Sequence, residues 1–99
     1  MAVLAEIAMV PVGTGSSSIS QMIADSVKVF DKYGLKYNVT STGTNVEGDM
    51  DTILHAVRDM DEIPFKEGAN RVMLMVRFDD RRDKSISMDY EEKSLGEKL

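Results

Sequence analysis

Val3 to Val10 reads Val-Leu-Ala-Glu-Ile-Ala-Met-Val, an apolar run broken only by Glu6. It is far too short to cross a bilayer. Its side chains alternate to both sides of an extended chain, so protein must cover it above and below. The run therefore predicts a central strand buried on both faces, and the fold around it must accommodate one carboxylate. Pro11 and Gly13-Thr14-Gly15 end the strand, and Ser16-Ser17-Ser18 continue a loop whose glycines permit unusual backbone angles.

The remaining elements follow from periodicity. Ser18-Ile19-Ser20-Gln21 fits a capping box that opens a helix, and Ile19, Met22, Ile23, Val27 and Phe30 form its apolar stripe. Gly34 sits where a left-handed C-terminal cap belongs. From Leu35 to Ser41, Leu35, Tyr37 and Val39 alternate with Lys36, Asn38 and Thr40, which predicts a half-buried strand. Thr42-Gly43 turns the chain into a short strand, Thr44 to Glu47, closed by Gly48. A second helix runs from about Asp49 to Glu67 with Ile53, Leu54, Val57 and Met60 inward. Pro64 should kink or end its regular part, and Gly68 supplies the stop. Asn70 to Phe78 alternates Val72, Leu74, Val76 and Phe78 with Arg71, Met73, Met75 and Arg77. In the tail, Ser87 to Glu92 reads as a short terminal helix with acids in its first turn.

The order is β-α-β-β-α-β plus a tail. Two right-handed βαβ halves with both helices on one face of a four-stranded antiparallel sheet satisfy it most economically: an α+β, ferredoxin-like fold forming a single domain over residues 1–99. Parity then assigns the open face. Val72, Leu74, Val76 and Phe78 face the helices, leaving Met73, Met75 and Arg77 on the other side. Leu4, Glu6, Ala8 and Val10 join them from the first strand, and Asn38, Thr40 and Thr42 from the second. Apolar area with a few convergent polar groups suits a subunit interface or a ligand pocket, and methionines adapt to either. Glu6 and Arg77 can equally pair across adjacent strands and satisfy each other.

Composition narrows the function. The chain has no Cys and one His, His55, which excludes disulfides, thiolate chemistry and the usual zinc sites; no metal or cofactor is expected. Net charge is -5, and the one dense basic cluster, Arg81-Arg82-Asp83-Lys84, is diluted by Asp79, Asp80 and Asp83. That balance disfavours nucleic acid and favours a neutral or cationic ligand. The N-terminus lacks a basic region and Glu6 interrupts its apolar run, so a signal peptide is not expected, nor a membrane span; a cytoplasmic location is.

Because this fold hosts unrelated activities, function must come from sites. Nucleic-acid recognition on such a sheet needs exposed aromatics, but Phe30, Phe78 and Tyr37 are claimed by the core. A metallochaperone needs a Cys pair. An acylphosphatase needs an Arg in the loop after the first strand, and Gly13 to Ser18 carries no basic residue. That loop also lacks the Gly-Lys-Ser/Thr ending of a P-loop. His55 sits mid-helix beside Leu54 and Ala56 with no nucleophile signature, and no nucleophile-base pair is visible, so an enzyme is not expected.

The stretch Glu6-Ile7-Ala8-Met9-Val10-Pro11-Val12-Gly13-Thr14-Gly15, followed by Ser18-Ile19-Ser20, resembles the thiamine-binding-protein-like family, which has the YkoF-like fold. Tyr37-Asn38-Val39-Thr40, Gly43-Thr44-Asn45-Val46-Glu47-Gly48 and Asp79-Asp80-Arg81-Arg82-Asp83-Lys84 are similar to its later strands and the loop after its last strand. The resemblance implies a ferredoxin-like fold, dimers and tetramers assembled through sheet faces, and binding of thiamine or its hydroxymethylpyrimidine portion. It further implies ligand-binding roles for Glu6, Asn38, Thr42 and Thr44, with Ser17 and Ser18 from the loop, although Ser18 also serves as a helix cap. An aminopyrimidine wants a carboxylate or amide acceptor and hydroxyls, and a thiazolium cation suits an acidic protein. The competing reading is a structural or regulatory homo-oligomer whose polar sheet face is only an interface.

Overall fold

The structure, a computed structural model, describes residues 2–13 and 19–99. Strand β1 (Val3–Val12) alternates as its sequence dictates, with Val3, Ala5, Ile7 and Met9 buried and Leu4, Glu6, Ala8 and Val10 on the other face. Strands β2 (Lys36–Val39), β3 (Thr44–Gly48) and β4 (Arg71–Asp79) complete an antiparallel four-stranded sheet in the order β2-β3-β1-β4. The expected ferredoxin-like α+β fold is what forms. The long apolar strand occupies an interior position between β3 and β4, where both its edges are hydrogen-bonded.

Helices α1 (Ile19–Val27), α2 (Val29–Lys32) and α3 (Met50–Lys66) pack on the face carrying Val3, Ala5, Ile7 and Met9. Phe30, Val46, Ile53 and Ala56 are fully shielded there, each at 0% exposure. Burial of a large apolar side chain contributes about 1.5–3 kcal/mol, so this layer dominates stability.

Several helical details differ from the sequence expectation, among them Leu54, expected inward but 47% exposed. The first helix divides at Lys28 into α1 and α2. Buried Ser26 donates its hydroxyl to the Met22 carbonyl at 2.7 Å, a back-bond of the kind that bends helices, just before the division. The Gln21 amide, expected to reach back toward a cap, instead donates forward to Asp25 Oδ1 at 2.8 Å; Ser18 itself lies outside the described residues. Pro64 does not end α3 at once: the helix runs on to Lys66, and the Pro64 carbonyl accepts from the Glu67 and Ala69 amides at 3.1 and 2.9 Å. Gly34 and Gly68 hold positive φ angles of 65° and 106° and stop their helices as expected.

The tail helix α4 (Met88–Lys98) is longer than the sequence suggested. The Ser87 hydroxyl caps it by accepting from the Tyr90 amide at 3.1 Å. It packs on the side of the sheet opposite α1–α3, anchored by Ile86 and Met88, both 5% exposed. The described residues include no helix long and apolar enough to cross a membrane.

Candidate functional site

Strand register arranges the open face in rows. Asn38 lies opposite Asn45, Asn45 opposite Glu6, and Glu6 opposite Arg77, so these side chains form one polar row across all four strands. The next row toward the start of β1 is Lys36, Glu47, Leu4 and Asp79. In the other direction the face turns apolar, with Ala8 opposite Met75 and Val10 opposite Met73. Val10, Met73 and Met75 are exposed at 40%, 42% and 52%.

Helix α4 covers the polar end only. Lys36 Nζ meets Asp89 Oδ2 at 2.5 Å, and Asn38 Nδ2 donates to Glu92 Oε1 at 3.5 Å, so the edge strand β2 holds the helix over the sheet. The Asp89 carboxylate raises the affinity of Lys36 for its proton above the ordinary value, with Glu47 and Glu92 adding to the effect.

Between α4 and the sheet lies a cleft of about 370 Å³. Leu4 and Met88 supply its apolar surface; Glu6, Asp79, Glu91 and Glu92 bring carboxylates, and Arg77 and Asn45 the remaining polar groups. Arg77 Nη2 sits 3.3 Å from Glu6 Oε1, yet the two side chains remain 80% and 38% exposed. Glu6 is therefore only partly committed to Arg77 and keeps lone pairs for a further donor. Apolar walls with a few converging polar groups are the usual make-up of a small-molecule pocket.

A second cavity of about 190 Å³ lies at the β2–β3 hairpin on the helical side of the sheet. Its floor includes Ile7, Met9 and Met60, and its rim Thr40, Ser41, Thr42 and Thr44. The Thr40 hydroxyl is used locally, donating to the Gly43 carbonyl at 2.8 Å, the same oxygen that accepts from the Thr40 amide.

The residues singled out from sequence are therefore not brought together. Glu6 lines the cleft. Asn38 stands in the same row but reaches α4 at the sheet edge. Thr42 and Thr44 line the second cavity, and Thr44, opposite Ile7, is buried on the helical side at 4% exposure. Ser17 and Ser18 lie outside the described residues. The cleft also brings in Asn45, Asp79, Glu91 and Glu92, which the sequence reading does not single out as site residues. Asn45 was findable, because it shares strand parity with Glu47; the tail acids gave no local sign that they would meet the sheet. Among the described residues no group of His, Cys, Asp and Glu is placed to hold a metal ion.

This sheet, its helical layer and the cleft on the opposite side define a ferredoxin-like α+β protein with a small-molecule-sized pocket. The chain belongs to the thiamine-binding protein family, whose description matches residues 5–95. A UPF0045 protein of Bacillus subtilis is 31% identical, over 97% of this chain and 96% of its own. The crystal structure of a Methanocaldococcus jannaschii protein superposes with a TM-score of 0.88 at 32% identity, covering 97% of both chains. A Thermotoga maritima protein provisionally assigned to thiamine biosynthesis or salvage shares the fold, with a TM-score of 0.80 at 21% identity over 96% of this chain and 99% of its own.

Proposed function

We propose that this protein binds thiamine, or the hydroxymethylpyrimidine portion of it, in the cleft beneath α4 without transforming it, and that it works in the cytoplasm as a homo-oligomeric carrier or sensor. The observation that carries the reading is the lining of that cleft: Glu6, Asp79, Glu91 and Glu92 face a single guanidinium, Arg77, beside the apolar Leu4 and Met88. A cationic thiazolium gains from such a surplus of carboxylates. An exocyclic amine can donate to Glu6, and the Asn45 amide can serve ring nitrogens. Family membership and the fold shared with the provisional thiamine-salvage protein support the same ligand class. Thr42 and Thr44 form, in this reading, a separate hydroxyl-rich region of contact rather than part of the Glu6 pocket, and ligand-contact roles for Ser17 and Ser18 belong to the proposal by resemblance alone.

Assembly through the sheet face, as a dimer or tetramer, is supported by exposed Val10, Met73 and Met75 beside the region that α4 leaves bare. The second reading, an oligomer whose polar face is only an interface, is favoured by one observation: Glu6 already has a partner in Arg77. Calorimetric titration with thiamine, its phosphates and the free pyrimidine separates the two. The binding reading predicts saturable binding that weakens as phosphates add negative charge. Absence of heat with all of them favours the interface reading.

A further inference from the structure

Helix α4 is fastened to the sheet at one end only. Ile86 and Met88, at its start, are buried, and Lys36 and Asn38 of β2 reach Asp89 and Glu92 in its first turns. Beyond Glu92 its apolar side chains stand in water: Leu95 is 60% exposed and Leu99 97%. Its 11 residues, with Gly96 among them, are too few to stay helical in water without a surface to dock on. Undocking α4 therefore means melting it, and such a unit can open by itself while the sheet and its helical layer stay folded.

Charge works against docking. Helix α4 holds Glu91 and Glu92 over a floor that carries Glu6 and Asp79, and Arg77 is the cation of that lining. Glu47 adds a further carboxylate opposite Lys36 in the neighbouring row. Like charges brought together oppose closure, whereas the Lys36–Asp89 ion pair favours it from outside the cleft. Each such exposed interaction is small. A short helix held by two buried side chains is the kind of element whose docking small terms decide. A cation in the cleft lies between both pairs of acids and removes their repulsion.

We propose that α4 is a lid over the cleft, latched by Lys36 and Asp89 and loosened by repulsion of Glu91 and Glu92 from Glu6 and Asp79, and that a cationic ligand closes it by entering between the two pairs of acids. The inference rests on the reading of the cleft given above and deepens it, because it makes closure depend on the charge of the ligand.

The test is hydrogen–deuterium exchange of the full chain, following the α4 amides with those of α3 as the internal reference. In the ligand-free protein α4 is expected to exchange well ahead of α3. Lys36→Met, which removes the latch outside the cleft, should speed α4 exchange about two- to fivefold. Asp79→Asn removes repulsion without altering the helix and should slow it by a similar factor. Neither change should move α3. Thiamine at about ten times its dissociation constant should slow α4 exchange about tenfold. The uncharged hydroxymethylpyrimidine, at the same multiple of its own constant, should slow it less. An α4 that exchanges in step with α3, or that ignores both substitutions, would overturn the lid. Equal slowing by the two compounds would overturn closure by charge. Calorimetry on the same samples separates this from the site reading: thiamine that does not bind refutes the cleft as its site and closure by it, while the two variants still decide the lid.

Discussion

Glu6 and Arg77 face each other across β1 and β4, with Nη2 of one 3.3 Å from Oε1 of the other, on a face that leaves both side chains in contact with water. An exposed pair of this kind contributes little to folding. Its consequence is electrostatic: it tempers the negative charge of the cleft. Arg77→Gln should therefore leave the melting temperature nearly unchanged and tighten a cationic ligand several-fold, read by calorimetry. Weaker binding would mean that Arg77 itself contacts the ligand.

The roof of the cleft depends on the cap of α4. Ser87 accepts from the Tyr90 amide, and Ser87→Ala removes that bond, at a cost of about 1 kcal/mol to the helix. Because Glu91 and Glu92 line the cleft from this helix, ligand affinity should fall several-fold while the urea midpoint of the sheet core stays put. Unaltered affinity would show that α4 does not complete the site.

The helical layer should answer in the opposite way. Ile53 is 0% exposed at the centre of the core, and Ile53→Ala should cost about 2–5 kcal/mol by urea unfolding. The folded fraction should still bind ligand normally, because Ile53 lies on the face away from the cleft.

Tyr33 donates its hydroxyl to Asp59 Oδ2, linking α2 to α3, and Lys32 approaches the same oxygen at 3.5 Å. The Tyr33 bond, ahead of Lys32, holds the Asp59 carboxyl below its ordinary 3.8, and the same bond raises the Tyr33 hydroxyl above 10.0. The lowered carboxyl lends stability that is present above 3.8 and fades as pH falls through the folded value. The raised phenol lends stability that is present below 10.0 and fades as pH rises through its folded value. The stability difference between wild type and Tyr33→Phe should therefore form a plateau across neutral pH and shrink toward both extremes. Parallel urea-midpoint curves would contradict the linkage.

The strands were legible because period-two alternation is strong in Val3–Val12 and Arg71–Asp79, and it assigned Glu6, Met73, Met75 and Arg77 to the open face correctly. The division between α1 and α2 was not, since it accompanies a buried Ser26 back-bond rather than a helix-breaking residue. Thr44 was grouped with Glu6 by resemblance, but its register opposite Ile7 turns it to the helical side. The docking of α4 escaped the sequence for a different reason. Its ties, Lys36 to Asp89 and Asn38 to Glu92, join residues more than half the chain apart, and the tail is too polar for its apolar positions to announce a packing face.

The central claim is that the Glu6 carboxylate receives a ligand's donor in the cleft rather than serving assembly alone. Glu6→Gln keeps the shape and removes the charge, so titration with thiamine and sedimentation on the same sample decide the matter. The account predicts binding weakened by about 1.5–3 kcal/mol, the range for a hydrogen bond to a charged group, with the oligomer intact. Unchanged affinity together with a dissociated oligomer would contradict it.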